Sequence, residues 1–394
     1  MGCVSVSLDR IRDIASSRYE EFIDALRELV NVDSGSRTPE GVNLVADICQ
    51  ARFASHGWTV ERRSHEPVAG EAQLGDLLVG RLMGSGGPRV LMIGHTDTVF
   101  DPGTTVERPF RVDGERATGP GVSDMKSGLL VGTFAVEVLH EAGFDGFGSI
   151  TYVCNPDEEI GSPWSREYIG EVAAEVDVAL VLEGARENGD IVSARKGVTD
   201  YHIEVGGRAS HAGVEPERGR SAILETANEI IALQALNGRW PGVTVNVGVV
   251  HGGTRTNVVA ERCTLEVDVR SPQEETLAAV EAEIERILRG HTVPDITVNV
   301  AAGKWHRPME KKGGGARLAD LAIRVANDLG FELEDSSTGG ASDANTTSAA
   351  GVPTLDGLGP VGGDAHAPGE WIDLTSVVPR ISLLAGLVSR LGTI

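Results

Sequence analysis

Four short apolar runs, at 77–82, 89–93, 149–154 and 178–182, alternate with segments of helical spacing along the first half of the chain. Near-continuous apolar runs of this length are strands covered on both faces, since a strand with one wet face alternates apolar and polar residues. Such strands interleaved with helices argue for an α/β architecture with a largely parallel, buried sheet. Leu8, Ile11, Ile14, Phe22, Leu26 and Leu29 recur at helical spacing, so the opening is read as one amphipathic helix. Val42, Val45, Ile48 and Phe53 repeat the pattern up to Gly57, and a further helix is expected over 126–142.

The rhythm changes between about 198 and 302. The expected order there is strand 200–206, helix 219–236, strand 243–250, strand 262–270, helix 273–289 and strand 295–301. This βαββαβ order is the split, ferredoxin-like arrangement. It reads as a separate domain, 198–306, inserted between 1–197 and 307–394. In the last part, helix 316–329, a short strand at 352–355 and a closing helix at 374–391 restore the α/β character. Gly313, Gly314 and Gly315 and the Gly-rich stretch 357–369 are read as loops.

Composition removes several classes of function. The 394 residues carry 35 basic and 58 acidic side chains, a net charge of −23, and no run of Lys and Arg exceeds two residues. A polyanion needs a basic patch, so nucleic acid is excluded as a partner. No stretch reaches the roughly 18 apolar residues of a membrane span. Residues 1–7 show no charged segment followed by an apolar one, so no secretory signal is expected. Cys3, Cys49, Cys154 and Cys263 are far apart and read as reduced thiols, which fits a cytoplasmic protein.

The chemistry-bearing residues cluster at strand ends. Strand 89–93 runs into His95 and Asp97; Asp124 stands just before the helix at 126; strand 149–154 runs into Glu158 and Glu159; strand 178–182 ends at Glu183; and His366 lies in the last Gly-rich loop. Sites in open α/β sheets form outside the carboxyl ends of the strands. Two imidazoles and several carboxylates converging there suit a divalent metal such as zinc.

These residues also carry a resemblance. G-H-T-D-T-V at 94–99, G-x-x-D-M-K-S-G at 121–128, D-E-E-I-G-S at 157–162, L-E-G at 182–184, S-H-A-G at 210–213 and G-G-x-A-H-A-P-x-E at 362–370 follow one another in order. Together they resemble the zinc-dependent aminoacylase/carboxypeptidase metallopeptidases, and within them the bacterial glutamate carboxypeptidases of the carboxypeptidase G type. The resemblance covers nearly the whole chain. It implies a zinc-exopeptidase-like mixed sheet and two zinc ions per chain. By it, Asp124 bridges both metals, Glu159 and His366 complete one site, and His95 and Glu183 complete the other. Two metals about 3.5–4 Å apart need a shared carboxylate, and together they polarise a carbonyl and acidify water. Asp97 would accept the other imidazole N–H of His95 and fix its tautomer. Glu158 is similar to the family's general base; on extended backbone two neighbouring side chains point opposite ways, so one Glu can ligate while the other reaches water.

For the inserted domain the resemblance implies a lid that also forms a homodimer. His211 resembles a residue that reaches the partner subunit's site to stabilise the developing oxyanion, and Asn257 matches a second polar contact. Arg270 resembles the arginine that grips the substrate's α-carboxylate, a task suited to a bidentate fork. Arg307 matches a further position near substrate. The expectation is a dizinc hydrolase that removes a C-terminal amino acid, glutamate foremost, from an N-acyl or peptide conjugate. Segment 184–197, with Ala194-Arg195-Lys196-Gly197, departs from the carboxypeptidase G type. The alternative within enzymes is therefore an aminoacylase or dipeptidase with another leaving amino acid; a rival from a different class, independent of that segment, is a catalytically inactive binding module.

Overall fold

A computed structural model describes residues 6–393, without the side chains of Ala302, Lys304, Trp305 and Thr393. Cys3, expected as a reduced thiol, lies outside them. The chain forms two compact units: Met1–Ser193 with Lys311–Ser337 and Ser342–Ile394, and Ala194–Glu310 with Thr338–Ala341.

The first unit is built on a six-stranded sheet in the order Thr59–Arg63, Leu77–Met83, Ser149–Asn155, Arg89–His95, Val178–Val181 and Thr354–Leu355. The last four run parallel, while the first two form an antiparallel pair at one edge. The sheet is thus mixed and largely parallel, flanked by helices. Helix Ser127–Glu141 is apolar nearly all round because it is covered on several sides, among them by the closing helix Val377–Arg390. Its first turn presses against the end of the neighbouring strand: a Cβ on Gly128 would lie 1.9 Å from the Leu182 carbonyl oxygen, so only glycine fits.

The opening segment differs from the single helix expected. It forms two, Leu8–Ser17 and Tyr19–Val30, broken at Arg18. The break lets the first bury Leu8, Ile11 and Ala15 and the second Phe22, Leu26 and Leu29, while the Arg18 guanidinium meets the buried Glu137 at 2.8 Å. The three glycines at 313–315 are not a loop. They are the first turn of helix Gly313–Leu329, and a Cβ on Gly314 would sit 2.4 Å from Pro353 Cγ. Close packing, rather than chain flexibility, explains that glycine. The stretch 357–369 is likewise not all loop: Gly362–Gly363 pairs with Trp371–Asp373, which pairs with Arg116–Thr118 and through it with Arg111–Asp113. This four-stranded sheet ties the approach to Asp124 to the loop of His366.

The second unit is a four-stranded antiparallel sheet in the order Thr244–Gly252, Arg262–Ser271, Gly197–Gly206 and Thr297–His306. Helices Ala222–Gln234 and Glu274–Arg289 supply its βαββαβ crossovers. Burial alternates along Arg262–Ser271, with Cys263, Leu265, Val267 and Val269 inside, the mark of an antiparallel sheet with one face on a core. Among the described residues no helix is long and apolar enough to cross a membrane. Cys49, Cys154 and Cys263 are buried free thiols.

Candidate metal centre

Strand Arg89–His95 ends with His95 almost fully buried. Its Nε2 lies 2.9 Å from Asp124 Oδ1 and 3.8 Å from Glu183 Oε1. On the other side of the same carboxylate, His366 Nε2 lies 3.1 Å from Asp124 Oδ2 and 3.1 Å from Glu159 Oε2. The residues therefore form two groups able to hold a metal ion, His95–Asp124–Glu183 and Asp124–Glu159–His366, with Asp124 common to both. His366 reaches its place from a left-handed backbone conformation, φ 66°.

The surrounding bonds fix these groups. His95 Nδ1 meets the backbone carbonyl of Asp97 at 3.0 Å and the Asp97 carboxylate at 3.4 Å, so both act on the ring. The Asp97 carboxylate does more than hold the imidazole: it accepts the backbone N–H of Glu158 at 3.2 Å and of Glu159 at 3.1 Å, and the Ser36 hydroxyl at 2.7 Å. Glu158 and Glu159 stand on a single 3-10 turn, Glu158–Ile160, and not on the extended backbone expected. Asp97 caps their N–H groups and winds the chain there. At three residues per turn, adjacent side chains still diverge by about 120°.

Electrostatics follow from this crowding. Hydrogen bonds from His366 and His95 lower the Asp124 carboxyl against the upward push of burial. Those to Asp124 and Glu159 raise His366 to about 10. Burial, reinforced by Glu183, raises Glu158 well above the usual carboxylate range, and burial also raises Glu159. Among the described residues, Glu159 Oε1 is buried with no hydrogen-bond partner. Three carboxylates facing two imidazoles, with a buried acceptor oxygen left over, form a donor set that fits divalent ions.

Four supporting residues escaped the sequence reading. Glu370 accepts the N–H groups of Gly121, Ser123 and Asp124. Ser36 meets Asp97, as above. Asp157 accepts from Trp164 N–H and the Ser165 hydroxyl, and Asp343 from Asn155 and the Ser162 hydroxyl. For Glu370 a signal existed in the P-x-E that follows His366, and for Asp157 in the D that opens D-E-E-I-G-S; for Ser36 and Asp343 none did.

The remaining expected site residues lie in the second unit. His211 is exposed in the loop between strand Gly197–Gly206 and helix Ala222–Gln234, and Asn257 lies beside it, its carbonyl accepting Ala212 N–H at 3.0 Å. Arg270 is held by Asp268 at 3.0 Å and donates to the Gly339 carbonyl at 2.8 Å. Arg307 faces Glu274 at 3.2 Å and Glu281 at 3.5 Å.

Residues 91–390 match the model of peptidase family M20/M25/M40. The chain belongs to this family. The M20-family chain is 29% identical over 381 residues to carboxypeptidase G2 of Pseudomonas sp. (strain RS-16), covering 96% of this chain and 91% of that one. It is 27% identical to the acetylornithine deacetylase of Erwinia tasmaniensis, over 94% of this chain and 98% of that one. Its fold matches the crystal structure of the aminopeptidase PepT from Bacillus cereus, TM-score 0.77 at 24% identity, covering 94% of this chain and 98% of that one. It also matches an M20-family metallo-carboxypeptidase from Sulfolobus solfataricus, TM-score 0.72 at 16% identity, covering 95% and 100%. Membership makes the protein a hydrolase of the peptidase/amidohydrolase kind.

Proposed function

We propose that this M20-family hydrolase uses two zinc ions to remove a C-terminal amino acid, glutamate foremost, from N-acyl or peptide conjugates of the folate type. The observation that carries the reading is Asp124, whose two oxygens face His95 Nε2 and His366 Nε2 from opposite sides. In this reading His95, Asp124 and Glu183 hold one ion, and Asp124, Glu159 and His366 the other. When bound, the ions supply Lewis acidity to the scissile carbonyl and to the attacking water.

The chain's own residues supply the rest. Glu158 takes the proton of the attacking water and passes it to the leaving amine. Burial raises its affinity for a proton, which favours its taking one from water. Asp97 keeps the His95 ring and the backbone of Glu158 and Glu159 in place. His211 and Asn257 donate to the developing oxyanion, His211 from the neighbouring subunit of a homodimer formed through the second unit. Arg270 binds the α-carboxylate, and Arg307 assists it. A guanidinium carries five N–H groups, and the contacts of Arg270 to Asp268 and Gly339 use three. A cytoplasmic setting belongs to the same reading, supported by the buried free thiols.

A second reading is an aminoacylase, deacylase or dipeptidase with another leaving group. It is favoured by relatives described as an acetylornithine deacetylase and succinyl-diaminopimelate desuccinylases. An inactive binding module would be expected to lack part of the ligand set, whereas all five proposed ligands and Glu158 are present. The test is a kcat/KM screen of N-acyl amino acids that vary only at the C-terminal residue, with N-acetylornithine included. Glutamate ranking first supports the proposal. A neutral or basic residue ranking first transfers the protein to the second reading, and no hydrolysis of any member contradicts both.

A further inference from the structure

Helix Ala222–Gln234 of the second unit turns two acids, Glu225 and Glu229, toward its own interior, one helical turn apart. They are 1% and 3% exposed. Glu225 has donors: the backbone N–H groups of Thr292 at 2.9 Å and Val293 at 2.6 Å hold its Oε2. Among the described residues Glu229 has none: both of its carboxylate oxygens are buried without a hydrogen-bond partner. Beside this pair His291, just past helix Glu274–Arg289, brings its Nδ1 to 3.8 Å from Glu225 Oε1. One ligand atom from each of the three residues lies within 4.8 Å of the others. Glu225 and Glu229 border a cavity of about 180 Å³, with Asn228, Ala232, Ile287 and Gly290 among its other walls. Arg286 also lines it, but its guanidinium is taken up by Glu283 at 2.8 and 2.9 Å.

A carboxylate buried beside a second one, with no donor of its own, must either hold a proton or meet a cation, and an imidazole and a second carboxylate within reach favour the cation. We propose that Glu225, Glu229 and His291 bind a divalent transition-metal ion of the zinc class, at a site separate from the Asp124 centre. Two carboxylates and one imidazole are a donor set such ions accept, with a remaining position open to water. The ion ties the loop that begins at Gly290 to helix Ala222–Gln234. Its role is that of a clamp within the second unit, and it needs no assumption about the hydrolytic reaction.

The experiment is equilibrium dialysis of the intact enzyme against Zn²⁺, with elemental analysis per chain, on the native protein, Glu229→Gln and His291→Ala. His291 is partly exposed, so its replacement keeps the fold even if a change at Glu229 does not. Each variant is expected to hold one zinc fewer than the native protein. Zn²⁺ should raise the Tm of the native protein by more than it raises that of either variant, with kcat/KM unchanged between them. The comparison is a difference in count, so it stands whatever number the Asp124 centre holds. Equal zinc content in the native protein and in His291→Ala would overturn the site, as would an equal zinc-induced rise in Tm.

Discussion

The Glu370 carboxylate accepts the backbone N–H of Asp124 at 2.9 Å, through the same Oε1 that takes the Ser123 N–H at 2.7 Å, while Oε2 takes the Gly121 N–H at 2.9 Å. Four residues after His366, Glu370 thereby sets the backbone from which the shared carboxylate projects. Burial raises its own pKa to about 7 even against the lowering effect of those three N–H donors.

Replacing one of its oxygens by an amide nitrogen sets N–H against N–H. Glu370→Gln should weaken metal binding by about 10–100-fold, as loss of a partner that orients a ligand does. Chelator competition reads this directly. An unchanged affinity would show that the Asp124 segment holds itself.

Arg270 tests specificity. Arg270→Met should lower kcat/KM tenfold or more for substrates with a free C-terminal carboxylate, since a hydrogen bond to a charged group contributes roughly 1.5–3 kcal/mol. A C-terminal amide should lose far less. Equal losses for acid and amide would assign Arg270 to its structural contacts with Asp268 and Gly339.

His211 tests the dimer. His211→Ala should cost about 10²–10³ in kcat with metal retained. When equal amounts of His211→Ala and Glu158→Ala exchange subunits at random, a mixed dimer has one site with its own Glu158 and the partner's His211. About a quarter of native activity should return. No recovery would place His211 within its own chain's site.

The sequence exposed what depends on long, regular patterns. The central strands and the helix after Asp124 were readable because apolar runs and helical spacing extend over several residues. Four of the proposed metal ligands, His95, Asp124, Glu159 and Glu183, were readable because each stands at or just past the end of such a strand or just before such a helix; His366, in a Gly-rich loop, was readable only through the G-G-x-A-H-A-P-x-E motif. What escaped is local and short. The sheet joining Arg116–Thr118 to Trp371–Asp373 has strands of two or three residues, too brief for any period. The turn under Glu158 and Glu159 depends on Asp97, some sixty residues earlier, and no window along the chain contains both. Gly314 is packed against Pro353, so its loop-like identity hid a helical turn.

Arg380 concerns stability. Its side chain is buried in the closing helix, its Nη2 donates to the Gly189 carbonyl, and among the described residues its Nη1 has no partner. Burial lowers its pKa from the usual guanidinium range to about 10, against the pull of Asp190. The folded state thus holds this proton less tightly than the unfolded chain. Its charge costs stability at every pH below about 10, and the cost fades only as pH rises from there toward the range of a free guanidinium. Arg380→Met should therefore be neutral or stabilising at pH 7 by denaturant midpoint. A loss of several kcal/mol would show that the guanidinium is better satisfied than its contacts indicate.

The central claim is that Glu158 moves protons while its neighbour Glu159 holds metal. Zinc per chain and kcat, measured together on Glu158→Gln and on the native enzyme, test it most directly. The account predicts two zinc ions at the Asp124 centre in both proteins and a kcat lower by about 10²–10⁴ in the variant. Loss of zinc together with activity, or an unchanged kcat, would contradict it.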